Sequence, residues 1–547
     1  MKKVIILSFL FFQLLSFAFA QVEHVPVTHP VYSFLLHLET KGLLENFSLS
    51  SLPLSRQEIV DALQQIEKNK TKLGSSDLKT LKLYETEFEI ITRQNAVLFF
   101  SSTDTTEVLS SRFFSNDEKF LYHYKDSSNT VNVVPLGSLE SILSIQNSKL
   151  KTQNITYGNL GVRFFGSLSN TLGYYLQATN GAIIAGDRSL ALQEVHKLQQ
   201  NVKFADLNSD FDFAESHVRF QLDWFYAIIG RETRLQGAGI NHSLYLSDNA
   251  PPFDAISVGA KFTGFEYSYT HGSLLSIPVE SPNVGIAANL PSKYVAIHRF
   301  AIKPGWGEIG FWENVIYSRR GIDLSYLNPL SFFKSLEHAL RDRDNSIMGL
   351  DATVRPLDGI QIKGSYLLDD VRFEKIGTGY WSNKSAWNIG IIASLFPAAD
   401  IAIEYARIEP YTFSHFDSLN VMANDRMLYG SYLLPNSDEI SLNLYFWWGE
   451  RYPIKLKLAY QRHGENYYDS SGKLINVGGN PFQTNRYSID PETAYFLDGK
   501  RINTVDGTIE AGYELFRGMN IHILYHIKII DNITTNAVRF ILRYEDF

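Results

Sequence analysis

From about Asn95 to the end of the chain, apolar side chains recur at every second position. That pattern restricts the fold more than any other feature of the sequence. Val218, Phe220 and Leu222 alternate with Arg219 and Gln221, and Leu442, Leu444 and Phe446 alternate with Ser441, Asn443 and Tyr445. Ile454, Leu456 and Leu458 alternate with Lys455 and Lys457 in the same way. Near the end, Val538, Phe540, Leu542 and Tyr544 alternate with Arg539, Ile541 and Arg543. A period of two means strands with one apolar and one polar face. Such strands build either a soluble sandwich, apolar face inward, or a transmembrane barrel, apolar face toward lipid and polar face toward a wet lumen. The repeated Lys and Arg on the second face over so long a stretch favour the barrel. Aromatics make up 14% of the 547 residues, with 30 Tyr, 37 Phe and 7 Trp, and Tyr and Trp suit membrane–water interfaces. The mean hydropathy of −0.12 is too low for a helical membrane protein and suits a barrel that is apolar on one face only.

The start of the chain agrees with a surface destination. Lys2 and Lys3 precede the apolar run from Val4 to Phe19, and Ala18-Phe19-Ala20 reads as a cleavage site. The expected export signal is therefore 1–20, with the mature chain beginning near Gln21 and travelling to a bacterial outer membrane. The chain has no Cys, which excludes a lipid-anchored N-terminus, disulfides and thiolate metal sites. A formal charge of −8 argues against nucleic acid as a partner.

Residues 21–92 have a different character and are expected to form a small periplasmic helical bundle. Val31 to Leu38 has helical spacing, and Lys41-Gly42 reads as its stop. Ser55 and Glu58 have capping-box spacing, with Leu54 and Ile59 as the flanking apolar pair. Ser76 is the expected cap of a third helix. His24, His29 and His37 are too scattered for a metal site and are expected on a solvated helix surface. Residues 93–547 then form the barrel. Tight turns are expected at Ser169-Asn170, Asp223-Trp224, Thr263-Gly264, Pro304-Gly305, Pro356 to Gly359, Phe396-Pro397, Tyr452-Pro453 and Arg517-Gly518. Eight hairpins with one entering and one closing strand give roughly 18 antiparallel strands, an even number as such barrels require. Phe547 is out of phase with Tyr544, Leu542 and Phe540, which points to a terminal bulge.

Several segments, in order, resemble the Wzi-type capsule assembly family. They are Gly230-Arg231 with Gly237-Ala238-Gly239 and Ser247 to Phe253, then His298-Arg299-Phe300 with Trp312-Glu313. Tyr326-Leu327-Asn328-Pro329-Leu330 with Glu337, Asp344-Asn345 and Gly349-Leu350-Asp351 follows, then Tyr405 to His415 and Leu434 to Asp438. Typical members carry a Trp where this chain has Leu235-Gln236. The resemblance spans nearly the whole mature chain. It implies an outer-membrane barrel with a periplasmic helical piece that helps hold capsular or related polysaccharide at the cell surface, in the manner of a lectin and without catalysis.

The residues suggest where such a role would reside. Gly237 and Gly239 permit a sharp bend and Pro251-Pro252 stiffens the exit, so residues 230–253 form either a plug inside the lumen or a surface loop. Arg231, Arg234, Asp248 and Asn249 suit the polar surface of a plug. Asp342, Asp344 and Asn345 lie in the densest polar run, which either binds hydroxyl-rich ligand or holds a long loop together. Tyr380-Trp381 is the pair best suited to stacking on a sugar ring, whereas Trp447-Trp448 reads as an interface girdle. No nucleophile elbow, His-Glu-x-x-His pair, P-loop or EF-hand spacing is present, so no enzyme activity, cofactor or metal is expected. The expected partners are outer-membrane lipids and polysaccharide, with the chain acting as a monomer; a passive porin or sugar channel is the alternative.

Overall fold

The structure is a computed structural model that describes residues 21–88, 97–98, 113–146, 151–191, 194, 197, 210–276 and 290–545. The expected export signal and Phe547 lie outside the described residues.

The alternating stretch closes into an antiparallel barrel of eighteen strands. The first six are β1 (Thr130–Gln146), β2 (Lys151–Leu168), β3 (Leu172–Gly186), β4 (Asp210–Gln221), β5 (Phe225–Glu232) and β6 (Phe253–Phe262). Next come β7 (Phe265–Leu274), β8 (Lys293–Ile302), β9 (Gly307–Ser318), β10 (Asn345–Leu357), β11 (Ile360–Asp370) and β12 (Lys384–Phe396). The last six are β13 (Ala399–Ile408), β14 (Ser437–Phe446), β15 (Ile454–Glu465), β16 (Lys500–Phe516), β17 (Met519–Ile530) and β18 (Ile533–Tyr544). β18 returns to pair with β1, with Gly137 opposite Tyr544 and Gln146 opposite Thr535. Where β18 stops, the short strand Tyr122–Lys125 continues along the same edge of β1. Closure removes the free edge that an open sheet would expose.

All eight turns read from the sequence join strands at one end of the barrel. A ninth short turn, around Asp531 with φ 51°, lies at the opposite end and was not among the turn signals. The two faces of the wall separate as the alternation requires. Leu458 and Phe540 are exposed on the outside, whereas Arg219, Ser441 and Asn443 are buried on the inside.

The helices at the start of the chain are α1 (Val31–Thr40), α2 (Arg56–Lys68) and α3 (Ser75–Glu87). Ser55 and Glu58 form the expected capping box of α2. Ser76 does not cap α3; that helix begins at Ser75, and the Asp77 carboxylate reaches back to the Gly74 N–H at 3.4 Å. Phe34, Leu38, Ile59, Leu63 and Tyr84 make the core of this unit together with Trp447 from the β14–β15 turn. The unit is thus seated in the short-turn mouth of the barrel. Trp447 is correspondingly not part of an outer girdle: it is 4% exposed, stacks on His37 at 4.9 Å and donates to Asp400 at 2.9 Å, while Trp448 remains outside.

The three histidines differ from expectation for the same reason. They are buried, and each meets a carboxylate: His24 with Glu232 at 2.9 Å, His29 with Glu87 at 2.9 Å, and His37 with Asp400 at 2.7 Å and Asp77 at 3.2 Å. Burial opposes protonation of His37, but the two carboxylates prevail and raise its pKa above 6.5. Arg517, in the β16–β17 turn, meets Glu87 at 3.1 Å, Glu545 at 2.9 Å, Glu514 at 3.3 Å and also Glu118.

Two long loops fold inward from the other end. Leu244, Tyr245 and Leu246 of residues 233–252 pack with Phe413, Val421, Met422 and Leu433 of residues 409–436 in one buried apolar cluster inside the barrel. Tyr245 stacks on the inward ring of Trp312 at 4.5 Å.

A third long loop does the opposite. Residues 319–344 run down the outside of the wall. Tyr269 of β7 donates its hydroxyl to the Tyr326 carbonyl at 2.6 Å, and Tyr267, two residues nearer the short-turn end, donates to Pro329. Phe333 stacks on His298 of β8 at 4.4 Å, and its N–H donates to Glu313 of β9 at 3.2 Å. Tyr326 and Phe333 are fully buried against Tyr269, Ala296, Val315 and Tyr317. The outward side of β7–β9 therefore carries hydroxyls and a His298–Glu313 pair at 2.9 Å, groups that a bare lipid face would not tolerate. This loop covers them.

Candidate functional site

The site is built on the two infolded loops. Gly237 has φ +99°, and a Cβ on Gly239 would lie 2.1 Å from the His242 carbonyl, so both bends exclude larger residues. The N–H groups of Ile240 and Asn241 donate to Glu404 of β13 at 2.8 and 2.6 Å. The Ala238 carbonyl accepts from Ser365 and, at 3.3 Å, from Asn388. Leu235–Gln236 pairs with Ser51–Leu52, which ties this loop to the helical unit.

Arg234 is buried and donates to Glu232 at 3.2 Å. Asp248 lines a polar well of about 490 Å³ between the loop and β1–β4, floored by Pro26–Thr28. Asn249 donates its amide to the Leu428 carbonyl at 2.8 Å, linking the two infolded loops. Arg231 is the exception among the four residues expected on the polar surface of a plug. The strand period turns it outward with Ile229, where it pairs with Asp254 at 2.6 Å and both side chains are largely exposed. Beside Arg234, Glu232 is shared by His24 and His217, and the His24 N–H donates to His217 Nε2 at 3.2 Å. The His24 ring bonds Glu232 at 2.9 Å while its backbone N–H bonds His217, so His24 latches the chain start to two residues of the wall.

Above these loops lies a cleft of about 450 Å³, lined among others by Trp381, Phe416, Tyr487, Asp342, Asp370 and Asn345. The residues come from four separate loops and the rims of β10 and β11. Trp381 is held through its backbone N–H, which donates to the Glu492 carbonyl at 3.0 Å, and its ring stands edge-on to Tyr411 at 5.6 Å. Phe416 is 69% and Tyr487 88% exposed. Broad aromatic surfaces beside carboxylates, amides and hydroxyls can stack on the apolar face of a sugar ring while bonding its hydroxyls.

Of the five residues read as ligand contacts, Trp381, Asp342 and Asn345 meet in this cleft, although the Asn345 amide is already committed to the Asn420 carbonyl at 2.8 Å. Tyr380 does not line it; its ring is covered by Lys375 at 4.1 Å and Arg372 at 5.2 Å. Asp344 is buried beneath the outer loop, holding Arg320 through bonds of 2.8 and 2.6 Å and the Tyr326 hydroxyl at 2.8 Å. It holds the loop together. Phe416, Tyr487 and Asp370 escaped the sequence reading, and the available signal was an exposed aromatic within a polar loop.

His415 sits at the edge of the cleft. Burial, aided by the nearby Lys384 ammonium, lowers its pKa from 6.5 to about 4. Unfolded chain therefore binds a proton that the folded loop refuses between those values, and acidification through that window destabilises the folded loop. We expect faster amide hydrogen exchange across residues 409–436 as pH falls from 6.5 toward 4, after correction for the intrinsic rate. His415→Gln should flatten the dependence, and an unaltered pH profile in that variant would count against the assignment.

The architecture of this eighteen-strand barrel has a solved counterpart. Wzi of Escherichia coli, described as an outer-membrane protein involved in group 1 capsule assembly and a carbohydrate-binding β-barrel, superposes with a TM-score of 0.54 at 10% identity, over 95% of this chain and 99% of that one. The chain shares the Wzi fold. A BenF-like porin from Pseudomonas fluorescens Pf-5 gives a TM-score of 0.44 at 10% identity, over 75% of this chain and 98% of that one. Pseudomonas aeruginosa OpdQ gives 0.41 at 8% identity, over 76% and 97%. No family model matches the sequence, and no curated protein matches it. At such identity the likeness to Wzi carries the architecture and transfers no residue role.

Proposed function

We propose that this chain is a non-catalytic outer-membrane protein that holds capsular or extracellular polysaccharide at the cell surface, gripping it in the long-loop cleft. The observation that carries this reading is the cleft itself: Phe416 and Tyr487 stand exposed and Trp381 half-buried among carboxylates and amides, above loops that occupy the lumen. In this reading the short-turn end and helical unit face the periplasm and the long loops face outward, the usual layout of such barrels. The carbohydrate binding described for Wzi supports it. Against the porin reading stand the helical unit and the two infolded loops, which pack inside the barrel.

Deleting the chain should shift polysaccharide from cells into medium, with reversal on complementation. Complementation with Trp381→Ala should restore less than the wild type, since losing one stacked ring removes about 0.5–1.5 kcal/mol of contact. Unchanged retention in the deletion strain, together with steady conductance of the purified chain in planar bilayers, would transfer the assignment to a channel.

A further inference from the structure

The outer loop, residues 319–344, has a second side. Its inner side is spent on the wall: Tyr326 and Phe333 are fully buried there. Its outer side is apolar and bare, with Leu324 80%, Leu330 77%, Phe332 48% and Leu327 38% exposed. The contact with Tyr267, the third residue of β7 from the short-turn end, shows that this loop runs along the wall and does not stand above it. Nearby outward wall positions are exposed apolar residues, Ile256, Ile302 and Leu350, so the bare leucines continue the belt that faces lipid. Toward the rim the same segment carries Arg319, paired with Asp417 at 2.9 Å, Lys334, paired with Glu337 at 2.9 Å, Arg341, and Arg343, 3.6 Å from Asp323; the Arg319 and Arg343 side chains are still 60% and 51% exposed. An apolar pad edged by cations is the arrangement of an interfacial lipid anchor.

We propose that residues 319–344 form a binding site for an anionic membrane lipid, the leucines and Phe332 taking its acyl chains and Arg341 and Arg343 its phosphate. The site requires a bilayer around the barrel, and its leucines, Phe332, Arg341 and Arg343 do not line the cleft, although Asp342 between the two arginines does. Lipid replaces what a bare barrel wall would meet at this position, and the arginines select for charge. A second copy of the chain would need to cover the same leucines, so oligomeric state enters the test.

The chain has no Cys, so a single label can be placed by Leu330→Cys without other changes. The full-length labelled chain is reconstituted into phosphatidylcholine vesicles doped with brominated phosphatidylglycerol or brominated phosphatidylcholine, and quenching of an environment-sensitive fluorophore is read. Strong quenching is expected, with a preference for the anionic lipid of about five- to thirtyfold in apparent affinity, as one to two arginines near a phosphate provide. Arg341→Gln with Arg343→Gln should abolish the preference and keep the quenching. Because all three positions are exposed, folding is checked by unchanged heat-modifiable migration of each variant. Absence of quenching by either lipid overturns the site, and equal quenching by both overturns the charge selection. Absence of quenching with a cross-linkable dimer assigns the leucines to a second copy. Polysaccharide retention is measured separately, so failure here leaves the cleft assignment standing.

Discussion

Arg517→Met is expected to loosen the helical unit from the barrel mouth and to lower stability by roughly 3–5 kcal/mol, the usual cost of removing one partner from a buried ionic group. The arginine is 5% exposed and is the common partner of Glu87 from α3, Glu514 and Glu545 from the wall, and Glu118 from the segment before β1. Without it, four carboxylates share a poorly solvated pocket with Arg451, which already serves Glu87 and Glu514. Arg517→Lys should recover part of the loss, since one ammonium cannot match the fork geometry of a guanidinium. Denaturant unfolding in detergent micelles and hydrogen exchange in α3 read the effect. A change below about 0.5 kcal/mol, the range of ordinary surface substitutions, would refute the account.

The second large effect is expected at the outer loop. Phe333→Ala removes a buried ring and should cost about 3–5 kcal/mol, and Tyr326→Ala should cost a similar amount. The Phe333 change has a further consequence, because its ring lies on His298 beside Glu313. Lifting the loop presents that pair to hydrocarbon, where ionisable groups are expensive. The loss should therefore be larger in bilayers than in a wet detergent micelle. Hydrogen exchange over residues 324–340 in both media measures it. Equal protection in wild type and variant would remove the loop's covering role.

The wall was legible in the sequence because the lipid face imposes a strict period and short turns demand Gly, Pro, Asn and Asp. All eight expected turns join strands in the structure. The same rule misleads wherever something other than lipid meets the wall. Outward Tyr267, Tyr269, His298 and Glu313 break the apolar pattern, and only the chain folding back over them explains why. Arg231 was misread for a related reason: its place in β5, next to outward Ile229, decides its direction, and its sequence proximity to Gly237 does not. The buried histidines follow from seating the helices in the barrel, a relation between distant segments such as His37 and Asp400 that local spacing cannot reveal. The cleft was half legible. Trp381 and Asp342 stood out by residue type, but Phe416 and Tyr487 join them only through the meeting of four loops.

The seating of the helical unit also constrains assembly. Residues 21–88 precede the wall in the chain, yet they are seated in a cylinder that closes only when β18 finds β1 across most of the chain. Pairing of such distant segments is slow, because loop-closure entropy is spent before contacts reward it. The helices are short and share their core with Trp447, so their final packing waits for the wall. They must wait beside an unfinished wall with Trp447, Asp400 and Arg517 still to arrive. Seating of the helical unit and closure of the wall are therefore one coupled event, in which neither part is complete without the other.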